Sequence, residues 1–179
     1  MKFTWKALGT AVVCLALFGC GDSSNSGVVS DSYVFPAGKA TLAFSAVSTA
    51  QLPAAISAID FTIALPQGMD VTTSGGAAQI ESASVTPGAA LAGTNLAFGS
   101  YSASTGKAHL SMVTTNDTYR RGEFLRLSCN VAANTSITLG ALKALNDPVT
   151  LKKATGYDQA TQSTVIFTDK VKVTLTKAQ

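Results

Sequence analysis

The chain is short of the side chains on which most catalytic and metal sites depend. Its 179 residues include one histidine, His109, three cysteines and one tryptophan, and only 13% are charged. One imidazole and one thiol in the exported part cannot complete the closed ligand shell of a structural zinc site. A Gly-x-Ser-x-Gly elbow that would seat a nucleophile beside a base is also missing. The reading therefore expects a non-catalytic protein with no metal and no cofactor. Long apolar runs are absent too. The stretch from Ala7 to Phe18 is well short of the ~20 residues that cross a bilayer as a helix.

Charge of one sign is equally scarce. The formal net charge is +3, from 13 basic and 10 acidic side chains, and setting aside Lys2 and Lys6 leaves 11 against 10. Arg120-Arg121 and Lys152-Lys153 are the only basic doublets. Nucleic-acid binding calls for a concentrated basic face, so no nucleic-acid partner is expected.

What the sequence does have begins at its start. Lys2 and Lys6 precede the apolar run, and Leu17-Phe18-Gly19-Cys20 closes it with a small residue before a cysteine. This is the layout of a secretory signal. The Leu-x-Gly-Cys ending resembles the lipobox of bacterial lipoproteins. That resemblance implies a signal peptide over 1–19, removal of the leader, and a diacylglyceryl group on Cys20, which becomes the new amino terminus. More than one acyl chain makes such an attachment durable. The expected location is the cell envelope, at the outer membrane or cell surface. Residues 20–30, rich in Gly, Ser and Asn, read as a flexible tether, and residues 31–179 as one domain. Cys14 would leave with the leader and Cys20 would be acylated, so Cys129 has no disulfide partner. It falls on one strand face with Leu125, Leu127 and Val131, where a free cysteine acts as a small buried hydrophobe.

Alternation of period two dominates residues 31–179. The clearest strand is Ile56 to Leu65, stopped by Pro66-Gln67-Gly68. Further expected strands are Lys39 to Val47, Ala78 to Val85, Asn95 to Tyr101, Lys107 to Thr114, Glu123 to Ala132 and Ser136 to Leu145. Val149 to Lys152 and Thr164 to Leu175 complete the set, and Gly140 reads as a bulge. About nine short strands separated by turn residues predict an all-β, two-layer antiparallel β-sandwich. Alternation places His109 with Lys107 and Ser111 on a solvent-facing side.

Three segments carry a family resemblance. Ile59-Asp60-Phe61-Thr62-Ile63-Ala64-Leu65-Pro66-Gln67-Gly68-Met69, Ala83-Ser84-Val85-Thr86-Pro87-Gly88-Ala89-Ala90-Leu91 and Gly122-Glu123-Phe124-Leu125-Arg126-Leu127 resemble, in order and spacing, segments of cohesin modules. Cohesins are jelly-roll sandwiches whose superfamily includes carbohydrate-binding modules. The resemblance covers about Ala37 to Thr176 and implies binding of a dockerin-like protein through one exposed sheet face. The chain has no Asp-x-Asp-x-Asp calcium loop of its own, so such a partner would lie on another chain.

The most concentrated polar patch is the loop Thr114 to Arg121. Asn116, Asp117, Tyr119, Arg120 and Arg121 are its candidate partner contacts, being types that suit hot spots and adaptable polar contacts. Asn116-Asp117 and Asp158 could also serve as loop ligands for calcium, or as turn residues with Asx chemistry. Three readings follow. The first is docking of another exported protein, dockerin-like or an envelope component. The second is binding of polysaccharide, for which Tyr33, Tyr101, Tyr119 and Tyr157 are the remaining stacking rings once Trp5 is lost with the leader. The third is a structural part of a secretion or filament assembly.

Overall fold

The computed structural model describes residues 29–74 and 78–178. The expected signal peptide, Cys20 and the expected tether up to residue 28 lie outside the described residues. Val29 already packs against the core.

The alternating segments form two antiparallel sheets packed face to face. The first contains β1 (Gly38–Ser48), β3 (Met69–Asp70), β4 (Val85–Pro87), β7 (Gly122–Val131) and β10 (Val171–Lys177). Its order is β10-β1-β7, with β3 and β4 sharing the other edge of β7. The second contains β2 (Ile56–Ala64), β5 (Asn95–Ser102), β6 (Lys107–Thr114), β8 (Thr150–Asp158) and β9 (Ser163–Ile166), in the order β5-β6-β2-β8-β9. The chain is thus an all-β sandwich, with ten strands among the described residues.

The inward sets follow from period-two alternation. Leu42, Phe44 and Ala46 of β1 face Ile59, Phe61 and Ile63 of β2 across the layers, and all are buried. The centre is an aromatic stack that joins the sheets. Phe61 of the second sheet lies 5.0 Å from Phe44 and 5.5 Å from Phe124 of the first, the latter edge-on. Leu125, Leu127, Cys129 and Val131 are buried as one side of β7. Burial pushes the Cys129 thiol up to about 12, with the nearby Asp70 charge adding to the effect. The turn after β2 closes through the Met69 N–H donating to the Pro66 carbonyl at 3.0 Å, with Gly68 at φ 87°.

Four expectations about elements need correction. Ser136 to Leu145 is not a strand but contains α1 (Leu139–Leu145). Thr138 caps it, its hydroxyl accepting from the Ala141 N–H at 3.0 Å, and Leu139 and Leu142, one turn apart, are its buried residues. Gly140 is accordingly no bulge. Its N–H donates to the Asp31 carbonyl at 2.8 Å, and an added Cβ would meet that oxygen at 3.0 Å. Thr164 to Leu175 is two strands, because the chain turns at Phe167–Lys170 and passes from the second sheet to the first. Ala78 to Val85 makes only bridges at Gln79 and Ile80 before a 3-10 turn over Ser82–Ser84.

Candidate functional site

The outer face of the second sheet is built by register. One row of directly paired residues crosses all five strands: Leu96 on β5, Val113 on β6, Ala58 on β2, Thr155 on β8 and Ile166 on β9. Leu96 is 59% exposed and Ile166 61% exposed, and Val113 is exposed beside Leu96, whereas Ala58 is half-buried and Thr155 buried. Phe98, also exposed, stands in the next row beside Ser111. Large apolar side chains therefore sit outward on an unpartnered sheet, where water contact is unfavourable.

The orientation of β5 sets the row. It turns Ala97, Gly99 and Tyr101 inward, with Ala97 and Tyr101 packed against the core, and Ile80 and Leu110 press close at Gly99. A Cβ added at Gly99 would meet Leu110 Cδ2 at 2.8 Å and the His109 carbonyl oxygen at 2.5 Å. Alternation then puts Leu96 and Phe98 on the outer side.

The row containing Phe98 continues to a polar centre. Ser111 pairs with Asp60, and Asp60 with Lys153. The Asp60 carboxylate accepts from His109 Nε2, and also from Ser111 Oγ at 3.3 Å. The three residue types are those of a hydrolase triad, but their connection differs. Here the carboxylate receives both bonds, so the imidazole does not hold the serine hydroxyl as a base must. As a half-exposed polar contact the His109–Asp60 bond is worth under about 1 kcal/mol. Its role is to fix two polar side chains flat on the face beside the apolar row.

The loop singled out in the sequence adjoins this row, since Thr114 and Thr115 follow Val113 directly. It does not present all five candidates. Asp117, Arg120 and Arg121 are exposed and Asn116 is half-buried. Tyr119 is only 3% exposed. Its hydroxyl donates to the Gly122 carbonyl at 2.9 Å and its own carbonyl accepts from the Ile56 N–H at 2.8 Å. Burial raises its pKa well above the usual tyrosine value, against a smaller opposing backbone hydrogen bond from Ala46. The ring is a core side chain that ties the loop to β2, and it offers nothing to a ligand.

Asn116 Oδ1 accepts from the N–H and hydroxyl of Thr118, at 3.0 and 2.8 Å. Asp158 likewise accepts from the Ala160 N–H at 2.9 Å, and this bond holds its carboxyl below the usual range. Both are Asx turns, their oxygens spent on the chain. Among the described residues no three His, Cys, Asp or Glu side chains converge as metal ligands, and no helix is long and apolar enough to cross a membrane. Of the four tyrosines only Tyr157 is largely exposed.

Sequence reasoning missed Leu96, Phe98, Val113 and Ile166. Each lies in an expected strand, and Val113 shares the side of Lys107, His109 and Ser111, yet alternation does not tell which strands lie next to one another to gather these residues on one face. Comparison of the chain with protein-family models, curated proteins and solved structures finds no match.

Proposed function

We propose that the chain is a lipid-anchored, non-catalytic binding module of the cell envelope, whose outer β5-β6-β2-β8-β9 face docks another exported protein. The observation that carries this reading is the exposed cluster of Leu96, Phe98 and Val113 on β5 and β6, with Ile166 exposed at the far end of the same row. Exposed large apolar side chains gathered on one face mark interaction surfaces on folded domains. The polar centre at Asp60, His109 and Ser111, with Lys107 and Lys153 beside it, supplies directional contacts around the apolar ones. Docking through one exposed sheet face also agrees with the cohesin resemblance, and the Leu17-Phe18-Gly19-Cys20 ending supports the anchor.

Two predictions test it. Pairing Leu96→Glu with Ile166→Glu should leave thermal stability nearly unchanged, within about 0.5 kcal/mol, because both sites are on the surface. The same pair should abolish co-purification of a stoichiometric protein from envelope extract. Retained capture would move the site off this face, and binding on a glycan array in place of protein capture would favour the polysaccharide reading, with Phe98 and Tyr157 as its rings. For the anchor, Cys20→Ser should shift the protein from the detergent phase to the aqueous phase in a cloud-point partition; a variant that stays with detergent would remove the lipid assignment.

A further inference from the structure

A second opening lies at the free edge of the first sheet, away from the face just described. β10 pairs with β1 from Val171 opposite Ser48 to Lys177 opposite Leu42. Just beyond these limits, the Thr49 N–H donates to the Lys170 carbonyl and the Ala178 N–H to the Thr41 carbonyl, both at 2.8 Å. Antiparallel backbones bond at every second residue, so between those bonds Lys172, Thr174 and Thr176 direct their backbone groups at β1. The N–H and C=O of Val171, Val173 and Leu175 then point the other way. No described strand pairs with them there, because β10 ends the sheet.

Those groups, on residues only 3%, 7% and 6% exposed, lie beside a groove of about 640 Å³, lined by Val171 to Leu175 on one side and by Val149, Leu151, Pro148 and α1 on the other. Leu151 and Val149 are partly buried and give the floor an apolar character. Unpaired backbone donors and acceptors at strand spacing, beside an apolar floor, match an extended polypeptide better than any small molecule. Charge narrows the occupant. Lys172 lines the groove and Lys170 shares its outward side of the chain, Lys177 instead lies over the Tyr33 ring at 5.1 Å, Lys143 is taken up by Asp31 at 2.7 Å, and Asp147 is the remaining acid of the groove. A second copy offering the same edge would bring Lys170 and Lys172 of both chains onto one face, and edge lysines are how proteins discourage such pairing.

We propose that the free edge of β10 accepts an added strand from another polypeptide, with apolar side chains turned to the Val149–Leu151 floor and acidic ones turned outward to the lysines. The added strand spans Val171 to Leu175. It leaves the outer face of the second sheet free, so the two contacts can coexist.

The test is amide hydrogen exchange, read by NMR on the full chain in detergent micelles. The probe is a synthetic Val-Glu-Val-Thr-Val-Glu-Val peptide at millimolar excess. Without peptide, the Val171, Val173 and Leu175 amides exchange faster than those of Lys172, Thr174 and Thr176, which are bonded to β1. With it, the first three slow by about tenfold or more. A peptide with Lys in place of Glu gives no such slowing. Val173→Pro removes a donor that β1 does not use, a placement tolerated on an edge strand, and should abolish the effect. Should that variant fold poorly, Lys172→Glu provides the second reading by reversing the preference between the two peptides. Protection of the three amides in the free chain, their unchanged exchange in peptide, or slowing that depends on protein concentration alone would each overturn the proposal.

Discussion

Phe61→Ala is expected to lower the unfolding free energy by about 4 kcal/mol, the largest effect of any single core truncation in this sandwich. Phe61 is fully buried, and its ring meets Phe44 at 5.0 Å and Phe124 at 5.5 Å. Both neighbours come from the opposite sheet, so the ring is the joint between layers rather than a contact within one. Its removal loses transfer energy and two aromatic contacts, each worth about 1 kcal/mol beyond area. The cavity left behind is bounded by two paired sheets, which resist collapse. Urea denaturation followed by far-ultraviolet circular dichroism measures this directly. A loss below about 1.5 kcal/mol would mean that the sheets do close over the gap, against the rigid-core picture.

Asn146→Leu should cost about 3 kcal/mol, although the substitution adds apolar volume to a buried site. Asn146 follows α1 and reaches back to the end of β2. Its Oδ1 accepts from the Ala64 N–H at 2.7 Å, and its Nδ2 donates to the carbonyls of Ala64 at 2.8 Å and Leu142 at 2.9 Å. The amide thus completes the backbone bonding of Ala64, as a neighbouring strand would. Leucine removes the partner of a peptide N–H and of two carbonyls in a largely buried site beside the groove, and each such group left unsatisfied costs about 1 to 3 kcal/mol. Asn146→Asp discriminates the cause. It keeps the acceptor but sets a carboxylate against two carbonyls, so it should rescue little or nothing. Hydrogen exchange at the Ala64 amide should rise in both variants; an unchanged rate would show that Asn146 is dispensable to that strand end.

The contrast between Phe61 and Asn146 bears on what could be read early. Phe61 sits in Ile59-Asp60-Phe61-Thr62-Ile63, where alternation is unbroken, and its burial follows from that pattern. Asn146 lies in a segment expected to be a strand as far as Leu145. The helix there is seven residues long, too short for its period to stand out. Thr138 lacks the Glu or Gln three residues on that would mark a capping box. The split between β9 and β10 was hidden for a related reason, since Thr168-Asp169 is a brief turn inside a run of β-forming residues. Tyr119 misled in the other direction. Its neighbours Asp117, Arg120 and Arg121 are exposed, and a tyrosine among them reads as a surface contact until Gly122 and Ile56 are seen to hold it inward.

Taken alone, the order of residues determined the all-β class, the positions of β1, β2, β5, β6 and β7, the burial of one side of β7 with Cys129 on it, and the Leu17-Phe18-Gly19-Cys20 ending from which an anchor is argued. These are local properties: alternation, turn residues and a short motif act within a few positions of one another. Tertiary structure alone decided that Leu96, Val113, Ala58, Thr155 and Ile166 form one row, that Asp60 gathers His109 and Ser111, and that β10 ends its sheet with one side of its backbone unpaired. Each depends on which strands become neighbours and in what register, and that is set by packing between residues as far apart as Leu42 and Lys177, beyond the reach of any local pattern.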